Sequence, residues 1–153
     1  MSYNTHEVQA MRLAITAARQ ARVAGDTPFG ATLVSPEGDI VHTSPNRQNS
    51  SNDCTAHAEL VLVREVTARH GAQKLKGATV FASGEPCAMC SGAMFWAGIS
   101  RVVYAATTQD ISEALGGPSL PVRCVQVLGE AQPAVTVEGG LLREDAVAAL
   151  QGH

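Results

Sequence analysis

The sequence predicts an α/β domain built in three layers, α/β/α, around a five-stranded mixed sheet. Three observations carry this. Two β-rich runs, residues 29–34 and 40–44, flank the turn "SPEGD" and read as an antiparallel hairpin. Three further β-rich runs then alternate with helical segments, which is the pattern of parallel crossovers. No repeat, linker or low-complexity stretch interrupts the 153 residues, a length that suits a single domain (1–153) with a core of its own.

The elements follow in order. Asn4 and Glu7 fit a capping box, and Val8, Met11, Ile15 and Ala18 form an apolar stripe at helical spacing, so a first helix is expected to run to Gly25. After the hairpin, "TAHAELVLVREVTARHG" (55–71) predicts a helix stopped by Gly71. "ATVFAS" (78–83) reads as a strand, "CAMCSGAMFWAG" (87–98) as a short helix ended by Gly98, and "RVVYAA" (101–106) as another strand. Between 107 and 130 come a helical piece at "DISEAL", a break at "GGPSLP" and an apolar stretch of ambiguous type. "AVTVEG" (134–139) and "LLREDAVAALQ" (141–151) predict a last strand and a closing helix.

Composition removes several classes of function. Eleven Lys and Arg against fourteen Asp and Glu give a net charge of −3. A nucleic-acid binder needs clustered basic surface to displace phosphate counterions, and none is visible. No apolar run reaches the roughly 18 residues of a membrane span. The start "MSYNTHEVQAMRLA" shows no secretory pattern, so a cytoplasmic location is the expectation. Four cysteines in such a chain do not suggest a disulfide scaffold; a close pair points to metal or redox chemistry.

That pair is Cys87 and Cys90, after Pro86 and at the expected start of a helix. Residues at i and i+3 share a helix face, so both sulfurs reach one point, and the positive helix end favours thiolates. Alone, Cys-x-x-Cys leaves redox and metal readings open. His57 and Glu59, at the start of the preceding helix, shift the balance to metal. Two helices side by side on one sheet face would bring His57, Cys87 and Cys90 together. Three donors leave zinc a fourth position for water, the mark of a catalytic site. Glu59 lies about 200° around the helix from His57, which places it beside the pocket rather than on the ion. The alternative is a closed, non-catalytic site completed by Cys54, one turn before His57. Cys124 has no partner at ligand spacing and is expected in the core.

"His57-Ala58-Glu59" followed by "Pro86-Cys87-Ala88-Met89-Cys90" resembles the cytidine and deoxycytidylate deaminase superfamily. The resemblance covers about residues 6–150 and implies the cytidine deaminase-like fold and a Zn2+ cofactor on His57, Cys87 and Cys90. It also implies Glu59 as the proton shuttle for zinc-bound hydroxide, release of ammonia, and a homodimer. Two branches look similar. "SSNDCTAHAE", "GEPCAMCSGAMFWA" and "PFGA" resemble bacterial guanine deaminase; "TAHAE", "EPCAMCSGAM" and "VTVEGGLL" resemble tRNA adenosine deaminase. Both place an Asn eleven residues before the histidine, matched by Asn46, whose amide can both donate to and accept from a ring. Phe29 and Trp96 are the aromatics expected to line the slot. The tRNA branch carries a basic C-terminal helix, whereas this chain ends "LLREDAVAALQGH"; a free purine or related amino-heterocycle is the expected substrate. The guanine branch has an acidic pair where this chain has "GGPSLP", and an aromatic terminus, exchanged between subunits, where this one has none. Asp110 or Glu113 is the expected substitute for that pair as acceptor from the ring.

Overall fold

The computed structural model describes residues 2–153. Its five strands form one sheet in the order β2-β1-β3-β4-β5. β1 (Gly30–Val34) runs antiparallel to both β2 (Ile40–Pro45) and β3 (Thr79–Gly84). β3, β4 (Arg101–Ala106) and β5 (Thr136–Gly139) are parallel to one another. The hairpin and the crossovers read from the sequence are therefore both present, and the sheet is mixed.

Helices cover both faces, as the alternating pattern requires. α1 (Thr5–Val23) begins with the expected capping box: Asn4 Oδ1 accepts from the Glu7 N–H at 2.8 Å, and Glu7 Oε1 accepts from the Asn4 N–H at 3.0 Å. Its buried stripe of Ala10, Met11, Ala14 and Ile15 packs with α6 (Arg143–Leu150) over Phe81 and Val103. On the other face α2 (Ala58–His70), α3 (Ala88–Ala97) and α5 (Cys124–Leu128) enclose Leu33, Val80 and Val102. Val80 and Phe81, and likewise Val102 and Val103, point to opposite cores, the period-two alternation of a sheet buried on both sides. α4 (Thr108–Leu115) lies at the carboxyl end of β4 and adds Ile111 and Ala114 to the α1 side.

Several boundaries differ from the sequence expectation. α2 starts at Ala58 rather than 55, because Asp53 Oδ1 accepts from both the N–H and the hydroxyl of Thr55, at 2.9 and 2.7 Å, and holds a turn there. The ambiguous stretch contains the short helix α5, and a single 3-10 turn at Ala72–Leu75 follows α2. β5 begins at Thr136, past Pro133, which has no N–H for a ladder. α6 begins at Arg143, after Leu142 in the left-handed region at φ 56°. No helix among the described residues is long and apolar enough to cross a membrane.

One close approach decides how tightly α1 sits on the sheet. A Cβ on Gly30 would lie 2.1 Å from the carbonyl oxygen of Ala14 and 2.7 Å from the Ala17 methyl. Gly30→Ala is therefore expected to push α1 off β1 and to cost about 1–3 kcal/mol, read by thermal denaturation; an unchanged Tm would contradict this packing.

Candidate metal centre and substrate cavity

Two helix starts meet beside the carboxyl end of β3. Cys87 is the N-cap of α3 and His57 the N-cap of α2, both in extended backbone, and neither side chain makes the usual capping bond to its helix backbone. An ordinary cap residue would spend its side chain on the helix N–H groups; here both are free to turn toward each other. One turn into α3, Cys90 faces the same way and is fully buried. The ligand atoms of His57, Cys87 and Cys90 all lie within 4.8 Å of one another, with Cys87 Sγ 3.5 Å from His57 Nδ1.

These three residues fit a zinc ion. Zn–S and Zn–N bonds of about 2.3 and 2.0–2.1 Å at tetrahedral angles put sulfur and nitrogen about 3.6 Å apart, which is the spacing found. Cys54, exposed at the cavity rim, is not in the group, so the closed four-ligand arrangement is not formed among the described residues.

The local electrostatics suit a cation. A hydrogen bond from Cys90, reinforced by His57, lowers the Cys87 thiol to about 4. The same Cys87 bond, with burial, pushes the Cys90 thiol up, and Cys87 raises His57. Burial, and then the negative Cys87 sulfur, push the carboxyl of Glu59 up to about 7. Two negative groups in one dry space disfavour each other, and a divalent ion would relieve both.

Glu59 opens onto a cavity of about 440 Å3. Asn46 and Phe29 are among the residues that line it. Asn46 is buried; its Oδ1 accepts from the Gln48 N–H at 2.9 Å and its Nδ2 donates to Gln48 Oε1 at 2.7 Å, so the loop itself holds the amide in place. Phe29 packs on Gly84, where a Cβ would meet the ring at 2.6 Å. Trp96 corrects the sequence expectation: it is 84% exposed and lies outside the cavity lining, edge-to-face with Phe95. Nine residues of α-helix turn it about 180° from Cys87 and carry it about 13 Å along the axis. Cys124 is fully buried, as expected, with its thiol raised to about 11 by that burial.

Asp110 and Glu113 do not line the cavity. Asp110 caps α4 with Thr107 and receives a two-pronged contact from Arg143, at 2.8 and 2.7 Å. Glu113, exposed in the α4 surface, accepts from Gln109 at 3.0 Å. The region of the expected acidic pair instead supplies Gly116, Pro118, Ser119, Leu120 and Val122 to the wall, with Thr108, Ile111 and Ser112 from α4. Sequence reasoning also missed Gln48, Thr55 and Glu85 among the lining residues. For Glu85 a signal existed, since it is the carboxylate directly before Pro86-Cys87.

Comparison with known proteins places this arrangement. Residues 4–106 match the model of the cytidine and deoxycytidylate deaminase zinc-binding region. The chain belongs to this deaminase family. Guanine deaminase of Bacillus subtilis is 40% identical over 105 residues, 68% of this chain and 67% of that protein. A tRNA-specific adenosine deaminase of Streptococcus pyogenes serotype M18 is 33% identical over 143 residues, 92% of this chain and 85% of the other. The crystal structure of guanine deaminase from Nitrosomonas europaea superimposes with a TM-score of 0.79 at 25% identity, covering 94% of this chain and 82% of that one. The chain spans 20% of the length of another relative, a Deinococcus deserti tRNA(Ile)-lysidine synthase to which it is 40% identical over 110 residues. The family is zinc-dependent and hydrolytic, and the His57, Cys87 and Cys90 group can hold the ion.

The Arg143 contact holds the Asp110 carboxyl well below its ordinary value of 3.8. A lowered folded-state value stabilises above the ordinary value, and that stability drains away as pH falls below it. Asp110→Asn is thus expected to cost about 1–3 kcal/mol at pH 7. Denaturant melts of variant and parent should converge as pH drops below about 4; a constant difference across pH would contradict the pairing.

Proposed function

We propose that the chain is a zinc-dependent aminohydrolase of a free purine, guanine-like, or a related amino-heterocycle. The observation that carries this reading is a buried carboxyl, Glu59, set beside the His57, Cys87 and Cys90 group at the floor of a mainly apolar cavity. His57, Cys87 and Cys90 would hold the zinc. When bound, zinc supplies Lewis acidity that makes water a usable nucleophile near neutral pH. The reaction replaces the ring amino group by oxygen, so that one water is consumed and one ammonia leaves. Glu59 takes one proton from the attacking water and places it on a ring nitrogen, then takes the second from the hydroxyl now on the ring carbon and gives it to the departing amine, as the carbon–oxygen double bond forms and the carbon–nitrogen bond breaks. Its raised affinity for protons suits both duties. Asn46 offers a fixed donor and acceptor to the ring edge, and Phe29 its flat face.

Solved relatives with 25% identity and TM-scores of 0.80 are complexes with 8-azaguanine and 2,6-diaminopurine, which supports a free heterocycle here. The competing reading, tRNA adenosine deamination, is supported by relatives of that name. It needs a surface that grips phosphate. The closing helix instead carries Glu144 and Asp145 in its first turn, and its Arg143 is engaged by Asp110. The homodimer implied by the resemblance belongs to the same proposal, as does the small-molecule partner.

A panel of amino-purines, pyrimidines and triazines assayed for ammonia tests the reading. Glu59→Gln is expected to reduce turnover by about 10²–10⁴ while zinc content stays near one per chain; undiminished turnover would remove Glu59 from the reaction. For the ligands, Cys87→Ser and His57→Ala should lose bound zinc, measured by metal analysis, while Cys54→Ser keeps it. Zinc loss in Cys54→Ser would reinstate the closed site.

A further inference from the structure

Between α4 and α5 the chain crosses the cavity mouth as a strap, residues 116–122. Its inner side lines the substrate cavity through Gly116, Pro118, Ser119, Leu120 and Val122. Behind it lies a second cavity of about 380 Å3, bounded by Thr108, Gln109, Ser119, Leu120, Pro121 and Arg123. With open space on both sides, the strap cannot be held by packing along its length, and its place is set by its two ends. The first end is α4, clamped by Asp110 and Arg143.

The second end is Arg123. Its guanidinium makes a two-pronged contact with Glu85, Nε to Oε2 at 3.0 Å and Nη2 to Oε1 at 2.7 Å. The Glu85 side chain is completely buried, whereas that of Arg123 is 46% exposed. Glu85 Oε1 also accepts the Thr108 N–H at 2.8 Å, and the Glu85 N–H donates to the Ala106 carbonyl at 2.8 Å. One residue, two before Cys87, therefore ties three elements together: its N–H holds the end of β4, and its carboxylate holds the start of α4 and the far end of the strap. A fork of this kind fixes direction as well as distance.

We propose that Arg123 is a positioning residue for the substrate: docked on Glu85, it holds Leu120 and Val122 at the width of the heterocycle slot. It touches neither the metal ligands nor Glu59, so its effect falls on binding and selectivity rather than on proton transfer. The inference rests on the reading of the cavity as a heterocycle site. It also gives the acid at this wall, Glu85, a role in holding the wall rather than in bonding the ring.

The test uses the zinc-loaded full chain with guanine, or with whichever panel heterocycle the parent deaminates fastest. Arg123→Ala is expected to raise KM about tenfold with kcat within about threefold, the signature of lost binding held in common by ground and transition states. Arg123→Lys should fall between variant and parent, since an ammonium replaces the fork by a point charge. Proteinase K, which has little side-chain preference, should cut within residues 116–122 several-fold faster in Arg123→Ala. In a Glu85→Gln background Arg123→Ala should add little, because the partner is already weakened. A parent that deaminates while Arg123→Ala matches it in KM and in cutting rate overturns this inference alone. A fall in kcat with KM unchanged also overturns it. A parent that releases no ammonia from any heterocycle overturns the reading it rests on.

Discussion

His57 and Cys87 occupy the cap positions of two helices that the sheet brings side by side, and the site depends on that one placement. A serine or aspartate there would fold its side chain back onto the helix N–H groups. Histidine and cysteine make no such cap, which keeps the positive ends of both helices directed at the donors and helps hold Cys87 as a thiolate. The backbone is fixed independently of any ion. Glu85 pairs with Ala106 at the end of β4, and Arg47 pairs with Ala56 just ahead of His57. These bonds fix the backbone that carries both donors, and Cys87 Sγ lies 3.5 Å from His57 Nδ1.

That geometry sets the charge balance around it. Cys87 as thiolate and Glu59 as carboxylate share a space from which water is largely excluded, and each makes the other's charge costly. A divalent cation held by His57, Cys87 and Cys90 would resolve the conflict, while burial makes Glu59 hold a proton more tightly than an ordinary carboxylate. The same burial that makes Glu59 expensive thus makes it useful. Cys54 stays outside this balance, exposed at the rim.

Local signals made much of this legible in the sequence. The Asn4–Glu7 box, the alternating Val80–Phe81 and Val102–Val103 pairs, and the His57, Cys87 and Cys90 spacing each act within a few residues or one element. Misreadings arose where position along a helix or distance in sequence mattered. Trp96 sits near the motif in sequence but on the far side of α3. Thr55 was assigned to α2, whereas its bonds to Asp53 compete with the helix and keep it outside. Asp110 was offered to the ligand without its partner Arg143 in view, and Glu85 was passed over without Arg123. Those pairs join residues 33 and 38 positions apart, and no periodicity reports them.

In the proposed reading, substrate choice belongs to the walls and reaction type to the floor. The floor is built from two helix caps and a buried acid; the wall at 116–122 is a strap with space behind it. The most direct measurement of the central claim is zinc-edge X-ray absorption on the freshly isolated protein. The account predicts two sulfur neighbours at about 2.3 Å with the remaining positions filled by nitrogen or oxygen at about 2.0–2.1 Å. Three or four sulfurs in the first coordination sphere, or no bound zinc, would contradict it.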